Sequence, residues 1–171
     1  MLVEECIAGG ARTVLVGGAV GSLQRHITIG DYIVPTSARR EEGTSFHYAG
    51  SDHEATASGP ATQALLKAAR DGPRRVHEGP VWSTDALYRE FRGKAVHYAA
   101  EGDLGVDMET SALMTVAAVR GVDVGIILTV SDHIFDPHWG NIFGTPGFNK
   151  NCVELARIMV SAGRKLVTGT V

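Results

Sequence analysis

Residues 124–130 read V-G-I-I-L-T-V, an unbroken apolar run rich in β-branched side chains. A strand with one wet face alternates polar and apolar residues, whereas an unbroken run implies a strand covered on both faces. Such strands belong to parallel sheets sandwiched between helices. The preceding segment supplies one of those helices. Ala112, Leu113, Val116 and Val119 fall near helical spacing over 109–120, and Gly121 follows as the stop signal. The expected fold class is therefore α/β, with a mixed but mostly parallel central sheet in a three-layer αβα arrangement.

The rest of the chain keeps the same rhythm. Residues 2–9 read as the end of a helix closed by Gly9-Gly10, and 13–17 (T-V-L-V-G) as a buried strand running into a glycine-rich turn, G-G-A-V-G, at 17–21. A second strand is expected at 31–35, extended by 37–40, with 49–59 as a surface loop. Ser58 or Gly59, with Pro60 as the first helical residue, opens a helix through Arg70. A third strand covers 75–82, and 149–166 forms the closing helix with Val153, Ala156, Ile158, Met159 and Ala162 on its apolar side. With 171 residues and no repeat or linker, 1–171 is expected to be a single domain.

Composition excludes several function classes. A formal net charge of −3 argues against a nucleic-acid partner held through its phosphate backbone. No apolar run approaches membrane-spanning length, so no membrane partner is expected. Cys6 and Cys152 match no zinc or redox spacing, and the acidic start M-L-V-E-E-C is unlike a signal peptide. A cytoplasmic location is the expectation. The seven histidines form no H-E-x-x-H spacing or Cys/His cluster, so no metal is expected. His133 and His138 read as surface or pocket-rim groups, and His47 as a structural histidine. No Walker lysine loop or G-x-S-x-G elbow is present.

In open parallel sheets ligands bind beyond the carboxyl ends of the strands. G-G-A-V-G at 17–21, S-T-D-A-L-Y at 83–88 and S-D-H at 131–133 each follow an expected strand, and V-D-M-E at 106–109 opens a helix. One cleft can collect all four. Asp132 there suits protonation of a leaving group, or else caps a turn. Glu109 suits a sugar diol, or else complements a helix N-terminus. Arg89 reads as a surface residue paired with Glu90 or Asp85, or as a donor to a ligand carbonyl.

Together with G-D-Y-I-V at 30–34 and E-E-G-T-S-F-H-Y at 41–48, these segments resemble the nucleoside phosphorylase family of purine nucleoside and uridine phosphorylases and their hydrolase relatives. The resemblance implies a phosphorylase/hydrolase-like fold. It further implies that Glu109 grips the ribose hydroxyls, Met108 packs against the sugar, and Asp132 addresses the imidazole ring of a purine. Leu87, Tyr88, Arg89 and Asp107 fall at base-binding positions, and Gly18, Ala19 and Gly21 at the phosphate-binding turn. Phosphate is implied as co-substrate with no cofactor, and a homo-oligomer, dimer or hexamer, as the assembly.

The chain departs from the family pattern at several places. Leu87 stands where an aromatic is usual and Asp107 where a glutamate is common. Val16 and Ala19 replace an arginine and a serine or threonine, and the N-terminal strands of the family are expected to be missing, making this an N-terminally truncated form. Three readings follow: a purine-leaning nucleoside phosphorylase, a phosphate-independent nucleoside hydrolase, and a degenerate nucleoside-binding subunit without catalysis.

Overall fold

The computed structural model describes residues 2–136 and 140–169. In chain order the elements are α1 (Leu2–Ala8), β1 (Thr13–Ser22), β2 (Tyr32–Glu41), β3 (Ala55–Thr56), α2 (Gly59–Arg70) and β4 (Val76–Thr84). They continue with α3 (Arg92–Ala100), β5 (Gly105–Asp107), α4 (Thr110–Arg120), β6 (Asp123–His133) and α5 (Pro146–Thr168). The six strands form one sheet in the order β3-β2-β4-β5-β1-β6, with a further pairing of β2 to β6. Its long ladders, β1 with β6 and β2 with β4, are parallel. The antiparallel contacts, β1–β5, β2–β3 and β2–β6, are two residue pairs each. A mixed sheet dominated by parallel ladders is the expected one.

Two apolar cores flank that sheet. On one side Tyr32, Val34 and Ile127 pack against Ala64, Leu65 and Ala69 of α2 and Leu155, Ile158 and Ala162 of α5. On the other, Ile33, Val81, Ile126 and Leu128 meet Met114 and Ala117 of α4. The run at 124–130 supplies side chains to both cores, as an unbroken apolar strand between two helix layers must.

Helix limits follow local chemistry. Pro60 stands in the first turn of α2, and Gly121 ends α4 in the left-handed conformation at φ 66°. Ser58 occupies the N-cap of α2, but its hydroxyl is used elsewhere. It accepts from the Val124 N–H at 2.8 Å and donates to the Val124 carbonyl at 2.9 Å, fastening the helix entry to β6. Thr145 caps α5 by accepting from the Phe148 N–H at 3.2 Å.

One expectation is corrected. Residues 17–21 are not a turn: β1 runs straight through them, paired residue for residue with β6 to Val20, where a register shift precedes Gly21. The glycines serve close packing. A Cβ on Gly17 would lie 2.1 Å from Leu155 Cδ2 and 2.9 Å from Met159 Cε, and one on Gly18 would lie 2.9 Å from Leu128 Cδ2. Small residues here let α5 approach the sheet. Gly17→Ala is accordingly expected to lower stability by about 1–3 kcal/mol, the usual range for overpacking. A lower urea midpoint at unchanged m would show it.

Three elements were not anticipated. β3 lies inside the expected surface loop 49–59, and β5 and α3 have no counterpart in the sequence reading. α3 is held to β2 and β4 by polar bonds as much as by burial. Lys94 Nζ and Tyr98 Oη donate to Glu41, at 2.9 and 2.5 Å, while Trp82 Nε1 donates to the same carboxylate at 2.9 Å. Tyr98 also meets the Trp82 ring edge-on at 5.2 Å.

Candidate active site

A cleft of about 480 Å³ opens at the carboxyl ends of β1, β5 and β6, a size suited to a small-molecule ligand. Ala19, Val20 and Gly21 come from β1, Ser131 and Asp132 from β6, and Val106 to Glu109 from the β5–α4 junction. Leu87, Tyr88 and Glu90 enter from the segment after β4, and Asn141 and Phe143 from the segment after β6. All four segments singled out in the sequence therefore converge. The parallel ladders bring β1 and β6 out side by side, and β5 pairs with both β1 and β4, which draws the remaining two segments in.

The β5–α4 junction is fixed from beneath by a buried polar network. Asp107 Oδ2 accepts from the Thr110 N–H at 3.0 Å and from the Thr110 hydroxyl. Asp107 Oδ1 accepts from Ser83 Oγ at 2.6 Å. The Ser111 N–H donates to Ser83 Oγ at 3.0 Å, and Ser111 Oγ donates to Glu42 Oε1 at 2.8 Å. Glu42 Oε2 in turn accepts from the Ser45 N–H at 2.9 Å. Burial works to raise the Glu42 carboxyl, but the bonds from Ser45 and Ser111 outweigh it and hold the group below its ordinary value. Burial pushes Asp107 up against the opposing bonds from Ser83 and Thr110.

That network releases Glu109. It occupies the N-cap position of α4 but makes no side-chain cap bond, because Asp107 already satisfies the first free N–H groups. The Glu109 side chain is left to face the cleft beside Met108, which is 38% exposed. Partial burial raises its carboxyl, and the nearby charges of Asp107 and Asp85 raise it further. Helix capping, the alternative role for Glu109, is thus performed two residues earlier.

Asp132 is buried at the end of β6 and accepts from Ser131 Oγ at 2.6 Å on Oδ1. A Cβ on Gly21 would lie 3.3 Å from Asp132 Oδ2, so a bare β1 backbone makes room for this carboxyl. Glu90 lines the same cleft and was not singled out from the sequence. Its carboxyl is pushed up to about 7, first by burial and then by the charge on Asp132. No side-chain hydrogen bond or ion pair engages it among the described residues.

Several expected placements change. Arg89 does not line the cleft; its guanidinium lies 4.6 Å from the Phe91 ring centroid instead of pairing with Glu90 or Asp85. The 3-10 turn at Leu87–Arg89 sends Glu90, one residue on, into the cleft. Gly18 is also outside the lining, which takes only Ala19, Val20 and Gly21 from β1. The oxygens of Asp107 are engaged by Ser83 and Thr110, which makes it a support for α4 rather than a group free to hold a base. Leu87 and Tyr88 do flank the opening, Tyr88 at 93% exposure. His47 is exposed on a 3-10 turn, and His133 lines a separate groove with Arg25 and Arg92. His138 falls outside the described residues.

Comparison with known proteins turns this geometry into a family assignment. The model of the phosphorylase superfamily matches residues 1–161. The chain belongs to that superfamily. Among its relatives, a uridine phosphorylase of Salmonella typhimurium is 32% identical over 179 aligned positions, covering 96% of this chain and 70% of the relative. A guanosine phosphorylase of Halorubrum lacusprofundi is 33% identical, covering 77% of this chain and 55% of the relative. A DeoD-type purine nucleoside phosphorylase of Bacillus cereus is 32% identical over 78% of this chain and 57% of its own length. A solved structure, the P knowlesi homolog of P falciparum PNP, superposes with a TM-score of 0.82 at 24% identity. It covers 98% of this chain and 67% of its own, and supports the fold of this superfamily member.

Proposed function

We propose that this chain is a nucleoside phosphorylase, a pentosyltransferase that cleaves an N-glycosidic bond with phosphate and leans towards purines. The observation that carries the reading is the placement of Glu109 and Asp132 in one cleft, with Glu109 making no side-chain cap bond to α4. Glu109 accepts hydrogen bonds from the ribose 2′- and 3′-hydroxyls, and Met108 packs against the sugar. Phosphate attacks C1′ while the bond to the base breaks, through a transition state in which positive charge develops on the sugar. The carboxylate of Glu109 also stabilises that charge. Asp132 donates a proton or hydrogen bond to a purine ring nitrogen as electron density arrives there.

Leu87 and Tyr88 bound the base, with Phe143 as a further aromatic in the lining. Phosphate would sit against the backbone of Ala19 to Gly21, where β1 leaves the ladder register. The relatives carry names for uridine, guanosine and purine nucleosides alike, so the purine preference rests on Asp132. No organic cofactor enters this scheme.

A second reading is favoured by a specific feature of the cleft. Its described lining holds four carboxyl groups, Glu90, Asp107, Glu109 and Asp132, and no lysine, arginine or histidine. A phosphate dianion gains little there from this chain alone, whereas water does not need a cation. Hydrolysis, or a nucleoside-binding subunit completed by a further copy, follows from that feature. A homo-oligomer is part of the proposal, supported by exposed Val153 and Val160 on α5. The continuous sheet supports a single domain over 1–171, and the exposed, unpaired Cys6 and Cys152 fit a reducing cytoplasm. Among the described residues no helix is long and apolar enough to cross a membrane.

Base release from inosine, guanosine, adenosine and uridine, with and without phosphate, tests these readings. Phosphate-dependent release from the purine nucleosides is expected. Release independent of phosphate would establish hydrolysis instead, and no release in either buffer from any assembly would leave a binding subunit.

A further inference from the structure

We propose that Asn141 selects the base: its carboxamide donates a hydrogen bond to the oxygen at carbon 6 of a purine, so that 6-oxopurine nucleosides are favoured over 6-aminopurine ones. This rests on the placement of Asp132 at a purine ring nitrogen given above, and names the substrate class within that reading.

Three observations support it. The first is a backbone bond that sets Asn141 beside the strand end carrying Asp132. The Ile142 N–H donates to the Ser131 carbonyl at 3.1 Å, which joins the peptide between Asn141 and Ile142 to the peptide between Ser131 and Asp132. The Ile142 carbonyl is held as well, accepting from the Thr145 N–H at 3.1 Å and from Thr145 Oγ1 at 2.7 Å. Asn141 and Asp132 both line the cleft. The second is the orientation of the amide. Asn141 Oδ1 accepts from the Phe143 N–H at 3.1 Å, and only the carbonyl end of an amide can accept that hydrogen. Its NH2 end donates to no protein group among the described residues, and the side chain is exposed. The third is the state of the other donors. Ser131 Oγ donates to Asp132 at 2.6 Å, Tyr88 stands 93% exposed at the opening, and Arg89 lies over Phe91 outside the lining.

N7 and the substituent at carbon 6 share one edge of a purine. Guanine presents two acceptors there, N7 and O6, and hypoxanthine has the same pair, whereas adenine presents an acceptor and the N6 amino donor. With Asp132 donating to N7, a second donor from Asn141 complements the 6-oxo edge. Against adenine, the Asn141 amide and the N6 amino group turn hydrogens towards each other and neither finds an acceptor. An asparagine reads adenine by offering its carbonyl to N6, and here that oxygen is turned to the Phe143 N–H.

The test compares kcat/KM of wild type and Asn141→Asp on inosine, adenosine and purine riboside, which carries only hydrogen at carbon 6, at saturating phosphate. Aspartate still accepts from the Phe143 N–H, so the turn is kept, but it has no NH2 group and offers an acceptor in its place. Relative to purine riboside, the variant is expected to lose about tenfold on inosine, the effect of one hydrogen bond, and to gain on adenosine. The added negative charge acts on all three nucleosides and cancels in these ratios. Equal losses on all three, as a purely structural role in the turn would give, or an unaltered ratio of inosine to adenosine, would overturn the role of Asn141. Cleavage of none of the three by wild type would remove the phosphorylase reading. Calorimetric binding of hypoxanthine and adenine to the same two proteins then decides Asn141 separately: a hypoxanthine preference lost in the variant supports it, and equal affinity of wild type for both bases overturns it.

Discussion

Asp132→Asn is expected to slow purine nucleoside cleavage by roughly 10²–10⁴, the range that a well-placed general acid contributes. Asparagine keeps the shape of the side chain and can still meet Ser131 Oγ, so the fold at the end of β6 should survive. What it lacks is a transferable proton. The loss should therefore fall on kcat, with the KM for nucleoside moving little, because the group acts when the base leaves and not when it binds. Uridine, if cleaved, presents no imidazole nitrogen and should lose much less. Steady-state kinetics on inosine and uridine with both proteins decide the matter. An unchanged kcat on inosine would reduce Asp132 to a structural group at the strand end.

Much of this arrangement was legible in the sequence, and the reasons are physical. The unbroken run at 124–130 could only be a strand covered on both faces, and it supplies both cores. Pro60 and Gly121 mark helix ends by what their backbones permit, and both stand where expected. Convergence of the segments on one cleft followed from the polarity of three expected strands and from the helix that V-D-M-E opens. The failures share a cause: local pattern does not reveal what a residue meets across the fold. G-G-A-V-G has the composition of a turn, yet its glycines are small because Leu155, Met159 and Leu128 press against β1. α3 is weakly amphipathic and is held through Glu41, a bond partner distant in sequence. Arg89 and Glu90 are adjacent, and only the 3-10 turn before Glu90 decides which of them faces the ligand. An acid directly after the base-loop segment was the available signal for Glu90.

Glu109→Gln carries the other large expected effect, and it separates sugar binding from chemistry at the base. A carboxylate can accept from two hydroxyls at once, and each charge-assisted bond is worth about 1.5–3 kcal/mol. The amide keeps one acceptor and turns a donor towards the other hydroxyl, so at least one such bond is lost. A fall of about 10²-fold in kcat/KM is expected, corresponding to about 2.7 kcal/mol. Unlike Asp132→Asn, it should reduce purine and pyrimidine nucleosides alike, because every nucleoside presents the same diol, and 2′-deoxynucleosides should lose less. The pH dependence carries a second signature. Burial, Asp107 and Asp85 raise the Glu109 carboxyl, so ionisation, which both bonds require, is complete only at a pH above the ordinary glutamate range. Wild-type kcat/KM should therefore fall as pH is lowered through that raised value, and the variant should lack this limb. The fold should tolerate the change, since Asp107 and not Glu109 caps α4. Unchanged kinetics on ribonucleosides would place the sugar elsewhere in the cleft, and with it the direction from which phosphate must attack.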